Sequence, residues 1–390
     1  MSEVVNIPQL RFPEFNGGWK ESRIGKIYKD LRTGSTPSRA VKSYFKGDNP
    51  WITSGELKYN RISTTFEQIS DEAIKDTNLV LYQPGTLFIA ITGLEAPGTR
   101  GKCAINAVPS TTNQSCLAFR KVDSVDTIYM FYWYLKYGKP LYFKYAQGTK
   151  QQSFNNKIVE KFQIFLPNKP EQQKIAAFLS AVDNKIEQLS KKQELLGEYK
   201  KGLMQQIFSQ AIRFKADDGS EFPDWEEKKL RDVAKITTGS SNREDSGLDG
   251  QYTFFDRSED IRTSDRYLFD GKAVIVAGEG SRFPPKYFEG KFDLHQRTYA
   301  IMEFVEANSK YIFYFVDKQK NYLLRYAVGS TVKSLRLPIF QKMPVSLPSL
   351  PEQTKIANFL SSIDNKIEQV GGQLDKSKQF KKALLQQMFV

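Results

Sequence analysis

The sequence predicts an α/β (α+β) protein: two mixed globules separated by two long helices that form an antiparallel coiled coil, the whole a pseudo-two-fold internal repeat. Three observations predict it. The segment PEQQKIAAFLSAVDNKIEQ (Pro170–Gln188) returns as PEQTKIANFLSSIDNKIEQ (Pro351–Gln369), identical at 15 of 19 positions and displaced by 181 residues. Apolar residues in and after both segments step by four and three, the spacing of a heptad seam. Elsewhere, short alternating or apolar runs lie between Gly and Pro punctuation, as strands do.

The displacement holds beyond the matched segments. KKGLMQQIF (Lys200–Phe208) returns as KKALLQQMF (Lys381–Phe389), and YAQGTKQQSF (Tyr145–Phe154) as YAVGSTVKSL (Tyr326–Leu335). Looser echoes open each half: FPEFNGGW (Phe12–Trp19) and FPDW (Phe222–Trp225), then Ile24/Ile27 and Leu230/Val233, then RTGSTPSR (Arg32–Arg39) and TTGSSNR (Thr237–Arg243). NQSCLAF (Asn113–Phe119) parallels HQRTYAI (His295–Ile301). A period of domain length marks a duplication and not a solenoid.

The first seam runs through Ile175, Leu179, Val182, Ile186 and Leu189 to Gln193, Leu196, Lys200, Leu203 and Ile207. The second runs through Ile356, Leu360, Ile363, Ile367 and Val370 to Leu374, Ser377, Lys381, Leu384 and Met388. Pro170 and Pro351 suit a first helical turn, and the glutamate after each suits the positive end of the helix dipole. Gly197, Gly371 and Gly372 weaken the helices without having to break them. A helix over Glu171–Ser209 would be about 58 Å long. Two such helices in one chain can bury each other's seams; pairing between separate chains is the alternative.

In the globules, GTLFIAI (Gly85–Ile91) and KAVIVAG (Lys272–Gly278) read as strands. TIYMFYWYLKY (Thr127–Tyr137) and KYIFYFVDKQ (Lys310–Gln319) read as aromatic-faced helices or buried strands. Hydrophobic residues at 40% and aromatics at 13% suffice for packed interiors. No apolar run reaches the roughly 18 residues of a membrane helix. Cys103 and Cys116 are too few for a disulfide framework and read as reduced thiols of a cytoplasmic protein. The net charge of +13 suits a polyanionic partner or a solvated basic surface.

Catalytic patterns are missing. His295 is the single histidine, which removes HExxH zinc sites, the usual serine–histidine triads and histidine metal clusters. AGEGSRFPP (Ala277–Pro285) places proline where a phosphate loop would start its helix. DNPW (Asp48–Trp51) reads as a turn and a strand. PDWEEKK (Pro223–Lys229) spaces its acids too closely for a nuclease metal pair. The chain is therefore expected to hold no catalytic residue, metal or cofactor.

What remains are loops that combine glycine, small hydroxyls, amides and cations, the groups that contact phosphates and base edges. In the first half these offer Arg32, Thr33, Ser35 and Arg39; Arg100 and Lys102; Gln114; and Gln147, Thr149, Lys150, Gln151 and Ser153. In the second they offer Thr238, Ser240, Asn242 and Arg243; Arg282; His295, Gln296 and Arg297; and Ser330, Lys333 and Arg336.

With two variable regions, each followed by LP-x-x-PEQ-x-KIA-x-FL-x-x-[VI]DNKIEQ and a Lys/Gln-rich helical tail, the whole chain resembles the specificity subunit of type I restriction–modification systems. The resemblance implies target recognition domains at 1–167 and 210–348 and conserved spacer helices at 168–209 and 349–390. It implies that each recognition domain reads one half of a split, asymmetric duplex DNA site. It also implies that the paired helices, with Ile175, Leu179, Val182, Ile186 and Leu189 and Ile356, Leu360, Ile363, Ile367 and Val370, set the spacing and dock two modification subunits. Those would bring S-adenosylmethionine and methylate adenine N6, and separate restriction subunits would supply nuclease and translocase. Rival readings are a self-sufficient methyltransferase, which would need a glycine-rich cofactor loop, and a scaffold that binds no DNA. If the helices are a ruler, inserting one or two turns into one of them widens the gap between half-sites and leaves the bases read unchanged. Mapping the methylated sites of such an insertion checks this, and an unchanged gap refutes it.

Overall fold

Glutamate and glutamine at the start of each long helix organise everything around them. The computed structural model describes residues 6–94, 96, 98–148, 152–258 and 260–390. The helices that carry the architecture are α1 (Thr127–Tyr145), α2 (Lys169–Phe208), α3 (Ser309–Lys318) and α4 (Leu350–Gln387). The chain packs as two units, Met1–Gln188 with Gln373–Val390, and Leu189–Gly372. Each unit therefore contains a globule and one end of each long helix, and the first is assembled from two stretches of sequence while the second is a single stretch.

In the first unit, Glu171 accepts from Arg11 Nε at 2.7 Å and Nη2 at 2.8 Å, and from Trp19 Nε1 at 3.2 Å. In the second, Glu352 accepts from Arg213 Nε at 3.3 Å and Nη2 at 2.9 Å, and from Trp225 Nε1 at 3.1 Å. The tryptophans of the FPEFNGGW and FPDW echoes thus meet these carboxylates. The next residue ties the helices together. Gln172 accepts from Asp126 N and donates to Pro167 O, and Gln353 does the same with Asn308 N and Pro348 O. Asp126 and Asn308 in turn cap α1 and α3 through their side chains. Glu171 and Glu352 stand in the first turn of their helices as expected, and beyond that both are fully buried and bound to arginine and tryptophan.

Within each unit the two helix ends run antiparallel. In the first, Asp183 meets Lys381 at 2.6 Å, while Ile175 and Leu179 share a core with Leu384, Met388 and Phe389. In the second, Asp364 meets Lys200 at 2.6 Å, and Ile356 and Leu360 share a core with Met204 and Ile207. The lysine in each seam is therefore a paired charge. Tyr132 donates to Asp183 at 2.8 Å and Tyr314 to Asp364 at 2.7 Å, which completes the cluster. The tail of each repeat ends in the globule of the other. Phe389 packs on Trp19 and Tyr129, and Phe208 on Tyr311 and Phe315.

Seven of the ten seam residues assigned to spacing and docking, Ile175, Leu179, Leu189, Ile356, Leu360, Ile363 and Val370, are buried, and Val182, Ile186 and Ile367 are half-buried. Burial of the first seven agrees with their place in the seam.

The first globule has a five-stranded sheet in the order Arg32–Thr33, Cys116–Phe119, Leu87–Ala90, Cys103–Asn106, Arg61–Ile62, and a second of Gln68–Ile69, Asn49–Ile52 and Thr111–Thr112. The second globule merges the equivalents into six strands: Lys235–Thr238, Thr298–Met302, Phe269–Ala277, Lys286–Leu294, Tyr252–Phe255, Arg262–Ser264. Pro109, which has no amide hydrogen, sits between Cys103–Asn106 and Thr111–Thr112, where the second globule keeps one strand. In Phe269–Ala277 the side chains alternate: Val274 and Val276 join the core with α3, and Ala273 and Ile275 the opposite core. Gly271 and Gly290 are directly opposed, with φ of 133° and 129°, a backbone that other residues resist. The sheet curls there, since Lys286–Leu294 and Thr298–Met302 flank the same strand yet are joined by three residues.

Removing a buried partner leaves an uncompensated charge, which costs about 3–5 kcal/mol. Glu171 and Arg11 have side-chain exposures of 1% and 13%. Glu171→Ala and Glu352→Ala are each expected to lower the stability of their unit by that amount in urea titrations followed by tryptophan fluorescence. Lys191→Ala, in an exposed pair with Glu194, should leave the unfolding midpoint nearly unchanged. Equal effects from all three would refute the clamp.

Candidate nucleic-acid interface

The sheet of each globule ends in the loops that combine small hydroxyls, amides and cations. Close packing at one glycine per unit puts them together. A Cβ on Gly34 would lie 1.5 Å from Thr112 O, and one on Gly239 would lie 1.6 Å from Leu294 O. Only glycine lets the backbone approach so closely. The loop RTGSTPSR is thereby pressed against Asn113–Ser115, with Gly34 N donating to Asn113 O at 3.1 Å. In the second unit TTGSSNR meets His295–Arg297, with Gln296 N donating to Ser241 O at 2.9 Å. Side chains add a link in each unit: Thr36 Oγ1 donates to Gln114 at 2.7 Å, and Gln296 Nε2 donates to Asn242 at 2.5 Å.

The two turns hang on equivalent backbone bonds. Asn113 N donates to Ile52 O, and His295 N donates to Phe255 O. Ile91 N donates to Ser115 O and Phe154 N to Ile91 O; Gly278 N donates to Arg297 O and Leu335 N to Gly278 O. These bonds draw the later loops to the same end of each sheet. Gln147 and Ser153 face each other in a backbone bridge, as do Val328 and Ser334. Lys333 pairs with Gly280, beside Arg282 and close in sequence to Ser330 and Arg336. Thr149, Lys150 and Gln151 lie outside the described residues.

The cations of the first unit are engaged within it. Arg32 pairs with Asp30, and Arg39 pairs with Glu67 while lying 4.3 Å from the Phe45 ring. Arg100 Nε donates to Leu94 O at 2.8 Å with its guanidinium 4.6 Å from the Tyr142 ring, and Lys102 Nζ lies 4.2 Å from the Tyr59 ring. Arg100 is thereby tied to its own loop. Thr33, Ser35 and Gln114 come together at the glycine turn, as do Thr238, Ser240, Asn242, Arg243, His295, Gln296 and Arg297 in the second unit.

That second cluster opens onto a cavity of about 220 Å³ lined by Arg243, Asp256, Arg257, Glu279, His295, Gln296 and Arg297. Asp256, Arg257 and Glu279 were not singled out from the sequence; the signal available was charged residues directly after the strands Tyr252–Phe255 and Phe269–Ala277. His295 Nδ1 accepts from Arg297 N at 3.0 Å, and burial lowers the ring's affinity for a proton. The ring is therefore neutral at pH 7, with its proton on Nε2. Burial alone would raise Asp256, but the hydroxyl and amide of Ser258 and the charge of Arg243 hold it below its usual value. Beneath the turn, buried Asp293 accepts from Ser241 at 2.5 Å and Ser264 at 2.8 Å, which anchors both loops. Among the described residues no group of three or more His, Cys, Asp or Glu could hold a metal ion. Donors of this density on a basic chain can grip phosphates and read base edges.

Residues 16–196 and 223–376 match the family described as Type I restriction modification DNA specificity domain. The MjaVIII specificity subunit of Methanocaldococcus jannaschii is 26% identical over 92% of this chain and 88% of its own length. The MjaIX specificity subunit of the same organism is 31% identical over 57% of this chain, but the match spans only 56% of that relative. The EcoDI specificity subunit of Escherichia coli is 31% identical over 42% of this chain and 37% of its own length. In fold, the chain is similar to the S subunit of a type I restriction–modification system from M. genitalium, with a TM-score of 0.65, 16% identity, and 98% and 99% of the two chains covered. Two matched regions that cover most of the sequence place it: the chain belongs to the type I restriction–modification DNA specificity family.

Proposed function

We propose that this chain reads an asymmetric, bipartite duplex DNA site, one half per unit, and docks two modification subunits through its long helices. The observation that carries this reading is the recurrence of one loop constellation in both units with different side chains. Gly34 and Gly239 enforce the same close approach, yet the turns they press against read Asn113-Gln114-Ser115 and His295-Gln296-Arg297. A shared scaffold with unlike readers suits two unlike half-sites related by a two-fold axis.

The partner subunits bring S-adenosylmethionine and perform adenine N6 methylation, while this chain performs no chemistry of its own. The matching helix surfaces of the two repeats suit two copies of one partner, with restriction subunits joining the same assembly. Among the described residues no helix is long and apolar enough to cross a membrane, and the cytoplasm, where the DNA lies, is the proposed location.

Co-expression with a modification subunit, followed by mapping of methylated adenines, tests the reading. The expected result is one asymmetric motif of two short halves around a fixed gap. A stable complex that leaves DNA unmethylated would overturn the recognition role. Binding of the complex to its site should also fall log-linearly with salt, with a slope of about −0.9 per phosphate neutralised. A salt-independent affinity would favour a scaffold that does not read DNA.

A further inference from the structure

We propose that Arg297 and Arg257, bridged by Glu279, read a guanine edge in the half-site of the second unit. The inference rests on the DNA-recognition reading above and adds a residue-level specificity to it. Glu279 holds one arginine on each oxygen: Arg297 Nη1 lies 2.8 Å from Oε1, and Arg257 Nη1 lies 3.6 Å from Oε2. The carboxylate is sunk, at 19% side-chain exposure, while both arginines stand out at 63%. An ion pair on one Nη of Arg297 orients the fork and leaves Nε and Nη2 without a protein partner among the described residues. A guanidinium held by one edge with the other presented outward is the geometry for bidentate donation to guanine O6 and N7.

Asp256 and Glu279 line the same cavity as Arg243, Arg257 and Arg297 and offset most of their charge, so the pull on a phosphate is weaker than three unpaired cations would exert. Directed hydrogen bonds to a neutral base edge do not depend on that net charge. The neutral His295 ring presents a further donor, Nε2–H, toward acceptors of the guanine type.

The first unit lacks the device. By the backbone bonds that the units share, Ser54, Thr92 and Ser115 stand where the second unit has Arg257, Glu279 and Arg297. Neither arginine nor carboxylate is present at those three places, so a guanine contact of this kind belongs to one half-site only.

The test is the methylated motif written by the co-expressed complex carrying wild-type chain, Arg297→Ala or Glu279→Gln. Arg297→Ala is expected to relax a G·C requirement at one position of one half, with discrimination there lowered about ten- to hundredfold and the other half unchanged. Glu279→Gln, which keeps the shape but releases the arginines, should relax the same position less. A motif unchanged by Arg297→Ala, with methylation uniformly reduced, would mean a phosphate contact and overturn the proposal. So would a wild-type motif without a G·C pair in the affected half. If the wild-type complex writes no motif, the DNA-recognition reading itself fails, and the proposal with it. Equal thermal melting of the variants and wild type separates these outcomes from misfolding.

Discussion

A buried carboxylate in the first turn of each long helix is the constraint on which the rest depends. Glu171 and Glu352 are buried, and arginine meets each with a two-point pair while tryptophan adds a third hydrogen bond. Those donors come from segments far away in sequence, so each globule is pinned to the start of its helix at one angle. The adjacent glutamine extends the constraint to α1 and α3 by occupying the backbone around their caps. A polar junction of this kind is directional in a way that apolar packing is not, and it fixes where the sheet points.

The near-identity of the repeated segments follows from that junction and from the helix pairing. Asp183 must meet Lys381, and Asp364 must meet Lys200, so a change in one repeat is felt by the other. Phe208 and Phe389 likewise complete the core that the opposite repeat's aromatic helix begins. Each repeat is thus held to a surface made by its counterpart. The loop ends of the sheets carry no such mutual obligation. Glycines such as Gly34 and Gly239 beneath them are sterically compelled, whereas the side chains of the turns they press against differ between the units.

The drift of the loops has a physical direction. The second unit places charged residues around its turn and buries Asp293 beneath it, whereas the first uses hydroxyls and amides at the corresponding places and binds its arginines to its own aromatic rings and carboxylates. The two surfaces therefore present different donors at equivalent points of one scaffold.

The duplication, the long helices and the strands were legible in the sequence because each is a local pattern repeated at fixed spacing; the aromatic segments read as helix or buried strand, and the fold makes them α1 and α3. That these segments form turns was legible too, because glycine with hydroxyls, amides and cations marks such turns whatever surrounds them. The role of Glu171 was not, because its partners Arg11 and Trp19 are more than 150 residues away. Nor were Arg257 and Glu279, which lie in unremarkable charged runs and acquire meaning only when Arg297 is brought beside them. By itself the sequence determined the repeat, the long helices and the polar composition of the loops. Tertiary structure alone decided which charges are buried in pairs, which tail completes which globule and which arginine is held outward. Periodicity is written into neighbouring residues, whereas a partner across the chain exists only once the fold has closed.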